Sequence, residues 1–198
     1  MEDIIQVSHE EFLEKHEKNI SSRLRNESGL AGLIIDMQKS FLENINETER
    51  RIMIESQKRI IKKLSEKESP IIVLEYYNFG KTIKELTKEI DFDYNGILIK
   101  KKRDDGFERT KLHSLLKSNH SEHIILMGIN ASYCVKQTAM SAVANGYNIY
   151  TARELIGERE KLRGRETDRI LRRWYSDKGE YFRTEEQLWN FLVQNLGI

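Results

Sequence analysis

Short apolar runs alternate with longer charged segments from Gly29 to the end of the chain. The runs have the length of β-strands and are bounded by turn-forming or charged residues. They read LAGLIID, PIIVLEYY, NGILIKK, HIILMGI and YNIYTA. This alternation predicts repeated strand and helix units arranged around a parallel sheet.

The segments between these runs place apolar residues three and four positions apart, which predicts crossover helices. They read TERRIMIESQKRIIKKLSEK, TIKELTKEI, TKLHSLLKSN and CVKQTAMSAVANG. A last unit, GEYFRTEEQLWNFLVQNL, predicts an edge strand around Tyr181 and a closing helix from about Glu185. We therefore expect an α/β fold with a mostly parallel sheet of about six strands.

The first 28 residues follow a different pattern. Ser8 and Glu11 have the spacing of a capping box, and a polar helical pattern follows before the turn-forming residues that precede Gly29. A chain of 198 residues suits one sizeable domain. We predict an N-terminal helical extension over residues 1–28 and one domain over residues 29–198.

Charge and hydropathy exclude several functions. The 33 Lys and Arg residues against 32 Asp and Glu residues leave a formal net charge of +1, so no global field favours nucleic acid or a membrane surface. The basic stretch RELIGEREKLRGRETDRILRRWYSDKG interleaves its arginines with acidic residues, which favours a solvated or subunit-facing helix. No apolar run could span a bilayer, and the start MEDIIQVSHEEF lacks an apolar signal segment. We expect a cytoplasmic protein without nucleic-acid or membrane partners.

The predicted strand ends carry the candidate chemistry, because helix N-termini and loops converge beyond the carboxyl ends of parallel strands. Asp36 follows the first run, Lys101 lies at the end of the third, and Cys134 follows the fourth at the start of a helical pattern. A helix N-terminus and a nearby lysine would lower the pKa of the Cys134 thiol. A carboxylate could take the thiol proton and later return it to a leaving amine.

Each of these residues also has an ordinary structural interpretation. A lone cysteine is often an inert buried residue, an Asp after a strand often caps a helix, and a run such as IKKKR often lies in solvent. Cys134 is the only cysteine, so it forms no internal disulfide and fits either a reducing compartment or a free reactive thiol. The residues by themselves leave both roles open.

Three motifs, in the right order, resemble those of the isochorismatase-like cysteine hydrolase family. GLIIDMQKSF resembles the strand-Asp-x-Gln-x-x-Phe opening, KKRDDGFERTKL the lysine segment, and GINASYCVKQTAMSAVANGY the Cys-Val-x-x-Thr-Ala segment. The family lysine lies six residues before a Phe, which here selects Lys101 before Phe107. Together the motifs span Gly29 to about Gly157.

The resemblance implies a three-layer α/β/α sandwich with a doubly wound sheet in which the first and fourth strands are neighbours. It also implies a catalytic triad. Asp36 is then the general base and later the acid, Lys101 stabilises the thiolate and orients Asp36, and Cys134 is the nucleophile. By the same resemblance, a cis peptide joins Ile129 to Asn130, and the backbone N–H groups of Asn130 and Cys134 form an oxyanion hole.

Other residues near these motifs are candidates for the substrate pocket. They are Gln38, Phe41, Tyr77, Asn78 and Tyr133. We expect Tyr76 to be a core residue and Glu154 to be structural, whereas the Asn130 side chain either faces the pocket or caps its loop. The family also implies a homo-oligomer, a dimer or larger, with residues 1–28 or 153–175 as plausible contact surfaces.

The sequence departs from the nicotinamidase members of the family, which bind a metal through histidines after the second strand. That place reads EYYNFGKT here, and we expect His113, His120 and His123 to lie at the opposite edge of the sheet in solvated positions. We therefore expect neither a metal nor another cofactor, and no nicotinamidase activity.

The presence of Cys134 favours hydrolysis of an amide, ureido or carbamoyl C–N bond in a small metabolite through an acyl-enzyme. Two alternatives stay open. One is an isochorismatase-type hydrolysis of a vinyl ether, in which Asp36 protonates the substrate and Cys134 is incidental. The other is a catalytically silent binding module on the same fold.

Overall fold

The computed structural model describes residues 26–159 and 165–198. Residues 1–25 of the predicted helical extension, including its capping box at Ser8, therefore lie outside the described residues. The chain enters the domain at Asn26, whose side-chain amide donates to the carbonyl oxygen of Asn119 at 3.0 Å and to the hydroxyl of Ser121 at 3.2 Å. These bonds fix the start of the first strand.

Seven strands form a sheet in the described part of the chain. They are β1 (Leu30–Ile35), β2 (Ile71–Tyr76), β3 (Gly96–Lys101), β4 (His123–Ile129), β5 (Asn148–Ala152), β6 (Ile156–Gly157) and β7 (Glu180–Phe182). Their order is β3-β2-β1-β4-β5-β7, and the two-residue β6 pairs with β4. All these pairings are parallel. The predicted mostly parallel sheet, with β1 beside β4, is confirmed, and β6 adds to the six strands expected.

Seven helices accompany these strands in the described ranges. They are α1 (Lys39–Leu42), α2 (Glu47–Glu66), α3 (Lys84–Thr87), α4 (Leu112–Ser118), α5 (Cys134–Ala144), α6 (Arg165–Lys178) and α7 (Glu185–Leu196). The side chain of Asn46 caps α2 by accepting from the N–H groups of Thr48 and Glu49. Within the described residues, none of the helices is long and apolar enough to cross a membrane.

The sheet separates two apolar cores. Leu33 and Ile35 of β1 pack with α4, α5 and Tyr175 of α6, whereas Leu30 and Ile34 pack with α2 and α7. This alternation follows from the strand pleat, which sends successive side chains to opposite faces. The three-layer α/β/α sandwich is therefore confirmed.

The basic stretch is not one continuous helix. Its first residues form a turn after β5 and then β6, and in the described ranges its helix runs from Arg165 to Lys178. Strand β6 pairs with the carboxyl end of β4 rather than extending a helix, because Gly128 and Ile129 offer it a free backbone edge. The segment thus returns to the edge of the sheet where the candidate chemistry lies.

Candidate active site

Asp36 and Lys101 meet at the carboxyl edge of the sheet. Nζ of Lys101 lies 2.8 Å from Oδ2 of Asp36, and their side chains are 0% and 2% exposed. Strand β2 separates β1 from β3, so the lysine reaches across the end of β2, with its ammonium 4.5 Å from the ring centroid of Tyr76. Nζ also donates to the carbonyl oxygens of Arg103 at 3.0 Å and Asp104 at 3.4 Å. These contacts use all three ammonium hydrogens and fix the charge in place.

The backbone of Asp36 leaves β1 in a left-handed conformation, with φ of 52°. Its N–H still donates to the carbonyl oxygen of Leu74 at 2.9 Å, so the residue stays attached to β2. Burial raises the pKa of the Asp36 carboxyl, and the charge of Lys101 opposes that rise. Oδ1 is buried and accepts no hydrogen bond within the described residues. Asp36 therefore keeps one oxygen available for a proton.

Close approach between β1 and β4 brings Asp36 beside the loop that leads to Cys134. A Cβ at Gly128 would lie 2.1 Å from the carbonyl oxygen of Ile35, and the φ of Gly128 is +129°. Any other residue would push the two strand ends apart. This glycine is the local reason that a carboxylate from β1 and a thiol after β4 share a site.

Cys134 is the first residue of α5 and is 6% exposed. Its Sγ lies 3.5 Å from Oδ1 of Asp104, which accepts the thiol hydrogen bond. Burial raises the pKa of the Cys134 thiol, and the charge of Asp36 raises it further, whereas Lys101 acts in the opposite direction. The prediction of a lowered thiol pKa is therefore wrong, because burial and the acidic neighbours outweigh the lysine. To act as a nucleophile, such a thiol would need a base to take its proton.

The nucleophile loop, residues 130–133, connects β4 to α5. The peptide bond that enters it, between Ile129 and Asn130, is cis. In the described part of the chain, the backbone N–H groups of Asn130 and Cys134 donate to no protein acceptor. Two free N–H groups beside a thiol can stabilise negative charge on a carbonyl oxygen under attack. The side-chain Oδ1 of Asn130 is also buried, with no partner among the described residues.

Residues that follow the loop in sequence hold its backbone. The N–H of Ala131 donates to the carbonyl oxygen of Gly157 at 2.8 Å, and the Tyr175 hydroxyl donates to the carbonyl oxygen of Ala131 at 2.8 Å. A carboxylate oxygen of Glu158 accepts from the N–H of Ser132 at 2.7 Å. These three braces come from β6, from the residue after it and from α6. Neither Glu158 nor Tyr175 was predicted as a site residue, and their spacing from Cys134 gives no signal of the contact.

Among the predicted pocket residues, Gln38 is fully buried. Its amide nitrogen donates to the carbonyl oxygens of Tyr76 at 2.9 Å and Gly80 at 2.7 Å, and its oxygen accepts from the N–H of Tyr76 at 2.8 Å. Phe41 stacks on Phe79 with ring centroids 4.8 Å apart. Gln38 and Phe41 thus hold the loop after β2, and Gln38 has no amide hydrogen left for a ligand.

Two tyrosines stay accessible at this edge of the sheet. Tyr77 is 46% exposed and Tyr133 is 47% exposed, and Asn78 is exposed with φ of 65°. Tyr76, expected in the core, packs against it only in part and also contacts Lys101. The exposed aromatic rings can contact a bound molecule, whereas Tyr76 packs against Lys101.

Asp104 was missed by the sequence analysis although it contacts the Cys134 thiol. It lies three residues after Lys101 in KKRDDGF, at an exposed position. The adjacent Asp105 is engaged elsewhere, since its two oxygens accept from the N–H of Phe107 at 2.8 Å and the hydroxyl of Ser141 at 2.5 Å. The pair of acidic residues after the lysine is the available signal, but the sequence does not say which one faces the thiol.

The described histidines, His113, His120 and His123, lie away from this site. His123 opens β4 at the amino end of the strand and is half-buried, with Nδ1 3.0 Å from the Tyr150 hydroxyl. His113 is exposed on α4, with Nδ1 3.1 Å from the Tyr147 hydroxyl. The described ranges contain no cluster of three or more His, Cys, Asp or Glu side chains that could hold a metal. Glu154 accepts from the N–H of Glu185 at 3.4 Å, which is a structural contact at the start of α7.

Comparison with known proteins extends this description. A family model described as Isochorismatase domain matches residues 31–167. An N-carbamoylsarcosine amidase from Arthrobacter sp is 36% identical over 63 residues, which cover 32% of this chain and 24% of that protein. The match thus spans about a quarter of this curated relative's length.

Solved structures share the fold at lower identity. A MAR1 ribonuclease from Caenorhabditis elegans has a TM-score of 0.72 at 21% identity, with 88% of this chain and 85% of that chain covered. The nicotinamidase of Staphylococcus aureus has a TM-score of 0.69 at 20% identity, with 79% and 99% covered. At these identities the likeness concerns the fold and not the reaction.

Proposed function

We propose, starting from the fact that the chain belongs to the isochorismatase family, that it is a cysteine-dependent hydrolase of a C–N bond in a small metabolite. The observation that carries the proposal is the buried ion pair beside the only thiol. Asp36 and Lys101 are 2.8 Å apart, and both charges act on the pKa of Cys134. Burying two charges costs several kcal/mol per ion, roughly, before their attraction is counted. An inert core cysteine gives no reason for such an arrangement, whereas catalysis does.

The first step is attack by Cys134 on the carbonyl carbon of an amide, ureido or carbamoyl group. Oδ1 of Asp36 takes the thiol proton as the S–C bond forms, because this buried oxygen has no hydrogen-bond partner among the described residues. The carbonyl oxygen becomes an oxyanion that accepts from the N–H groups of Asn130 and Cys134. Lys101 holds Asp36 in position and stabilises the charge that develops on the sulfur.

The second step breaks the C–N bond. Asp36 returns its proton to the leaving nitrogen, ammonia or an amine departs, and the acyl group remains on Cys134 as a thioester, or as a thiocarbamate when the scissile group is ureido or carbamoyl. Asp36 then removes a proton from water as the water attacks the thioester. The product leaves as a carboxylic acid, or as a carbamic acid from a ureido or carbamoyl group, and Asp36 gives the proton to the sulfur, so the enzyme returns to its starting state.

The choice of a C–N bond over a vinyl ether rests on the thiol and on one relative. A cysteine nucleophile has a direct use in acyl transfer and none in the protonation of an enol ether. The Arthrobacter relative is named an amidase, and its name points to a carbamoyl group. We therefore place amides and ureides first in a substrate screen.

The experiment is a screen for ammonia release, followed by variants on the best substrate. We expect Cys134→Ala to lose at least about a thousandfold in kcat while it unfolds like the parent chain. Met140→Leu is the matched control, because Met140 is exposed on the same helix. Mass spectrometry of rapidly quenched parent enzyme should show the acyl group on Cys134.

Three outcomes would overturn the proposal. Full C–N hydrolysis by a folded Cys134→Ala variant would show that Cys134 is not the nucleophile. Cleavage of an enol ether by that variant would favour the vinyl ether alternative. The absence of both turnover and an acyl adduct across the screen would favour a silent binding module.

A further inference from the structure

Asp104 is a second carboxylate at the nucleophile, outside the triad. Its Oδ1 accepts the hydrogen bond of the Cys134 thiol at an S–O distance of 3.5 Å. Asp104 is exposed, whereas Cys134 is only 6% exposed. Any molecule that reaches the sulfur must therefore come within a few ångströms of this carboxylate, and it must displace or share the bond with the thiol.

The charge of Asp104 is not neutralised by its surroundings. Lys101 contacts the backbone carbonyl oxygen of Asp104, but its ion pair is with Asp36. Within the described residues, no cationic side chain forms an ion pair with the Asp104 carboxylate. The neighbouring Arg103 pairs instead with Glu108 at 3.6 Å. Two carboxylates and one ammonium surround the thiol, so the site has a negative balance.

Asp104 and the adjacent Asp105 differ in the hydrogen bonds that their carboxylates accept. Both oxygens of Asp105 accept hydrogen bonds, from the backbone at Phe107 and from Ser141. Those bonds hold the turn after Lys101 against α5 and explain Asp105 structurally. The thiol is the partner of the Asp104 carboxylate, and it is the group that moves toward substrate during the reaction.

We propose that Asp104 selects the substrate by charge, in favour of a cationic or N–H-rich group next to the scissile carbonyl. Ammonium, amidine, guanidine and ureido groups belong to this class. Such a group replaces the thiol as donor to Oδ1, and a charge-assisted hydrogen bond is roughly twice as strong as a neutral one. A substrate carboxylate at the same place meets repulsion from Asp104. The inference rests on the proposed function, because it assumes that the substrate reaches Cys134.

The selection can be measured without knowing the substrate. Cys134 is the only cysteine, so a thiol reagent reports on this site alone. The probes are two methanethiosulfonates of similar size, the trimethylammonioethyl reagent with a positive charge and the sulfonatoethyl reagent with a negative charge. The quantity compared is the ratio of their second-order rate constants. A change in the thiol pKa alters both rates alike, so the ratio isolates the charge effect.

We expect the parent chain to prefer the cationic reagent and Asp104→Asn to lower the cation-to-anion ratio about tenfold. Asp104→Glu should restore most of the ratio, since it keeps the charge. Asp105→Asn is the matched control and should change the ratio by no more than about threefold, because the Asp105 oxygens accept from Phe107 and Ser141 and not from the thiol. Each variant is compared only after its unfolding curve shows a folded state.

An unchanged ratio in folded Asp104→Asn overturns the inference, and so does an equal fall in Asp105→Asn. The measurement requires no turnover, so it separates this inference from the proposed function. A charge-selective thiol in a chain whose Cys134→Ala variant still hydrolyses substrate would reject the proposed function alone. An active cysteine hydrolase without charge selection would reject the role of Asp104 alone.

Discussion

Replacing Lys101 by methionine leaves the Asp36 carboxylate buried without its counter-charge. Methionine has nearly the length of the lysine stem, so the packing against Tyr76 is largely kept and the charge is what changes. The variant loses the 2.8 Å ion pair and the bonds from Nζ to the carbonyl oxygens of Arg103 and Asp104. The experiment therefore measures the cost of one uncompensated buried charge.

The expected cost at pH 7.5 is about 3–5 kcal/mol in the free energy of unfolding, which is typical for removal of one partner of a buried ion pair. For a chain of this size that corresponds to a fall in Tm of roughly 6–20 °C. The double variant Asp36→Asn/Lys101→Met has no buried charge left. It should recover most of this loss and keep only about 1–2 kcal/mol for the unsatisfied carbonyl oxygens.

The cost should depend on pH with a defined sign. Burial already raises the pKa of Asp36 above its ordinary value of 3.8, and loss of Lys101 removes the charge that opposes the rise. A raised pKa means that the folded state holds the proton more tightly than the unfolded state. The stability linked to that proton is present below the unfolded pKa and is lost as the pH rises through the folded pKa. Lys101→Met should therefore be closest to the parent chain in acid and furthest from it at neutral pH.

Urea unfolding of the parent, both single variants and the double variant at several pH values from 4.5 to 8 tests this reasoning. A loss in Lys101→Met that does not change with pH would contradict it. So would a double variant whose loss equals the sum of the two single losses, because the coupling between the charges would then be absent.

Three further outcomes follow from the same geometry. The charge of Asp36 raises the pKa of the Cys134 thiol, so iodoacetamide should alkylate Asp36→Asn faster than the parent at pH 7.5, about tenfold for each unit by which that pKa falls. A slower reaction would contradict the assigned effect of Asp36 on the thiol pKa. Gly128→Ala should lower the free energy of unfolding by roughly 3 kcal/mol or more, measured by thermal unfolding, since its Cβ would lie 2.1 Å from a backbone oxygen of β1. Gly80→Ala, whose Cβ would have no atom within 4 Å, should lower it by only about 1 kcal/mol. Tyr175→Phe removes the 2.8 Å hydrogen bond to the nucleophile loop and should lose about 1–3 kcal/mol with a lower kcat; unchanged stability would show that this brace is not needed.

The sequence predicts the sheet well because its strands are short apolar runs with clear bounds. The run before Asp36 ends where β1 ends, and Lys101 is the last residue of β3 as its motif suggests. Parallel topology then collects the strand ends at one edge. The two-residue strand β6 was not predicted, because its pairing depends on the backbone edge that β4 offers at Gly128 and Ile129 and not on its own composition.

The electrostatics of the site could not be predicted in the same way. A helix start and a lysine suggest a reactive thiolate at Cys134, but the pKa of that thiol depends on how much water surrounds it and on its distance from Asp36. Both quantities arise from tertiary packing. The contact between Asp104 and the thiol could not be predicted for the same reason, since the turn after Lys101 decides which of two adjacent carboxylates faces the sulfur.

The braces of the nucleophile loop have a consequence for synthesis of the chain on the ribosome. Asp36, Lys101 and Cys134 all emerge before Gly157, Glu158 and Tyr175, which hold the loop in place. A nascent chain that has just exposed Cys134 lacks the contacts that position the loop before it. Cys134 is therefore synthesised before the residues that hold its loop. The loop has all three of these contacts only when α6 has left the exit tunnel.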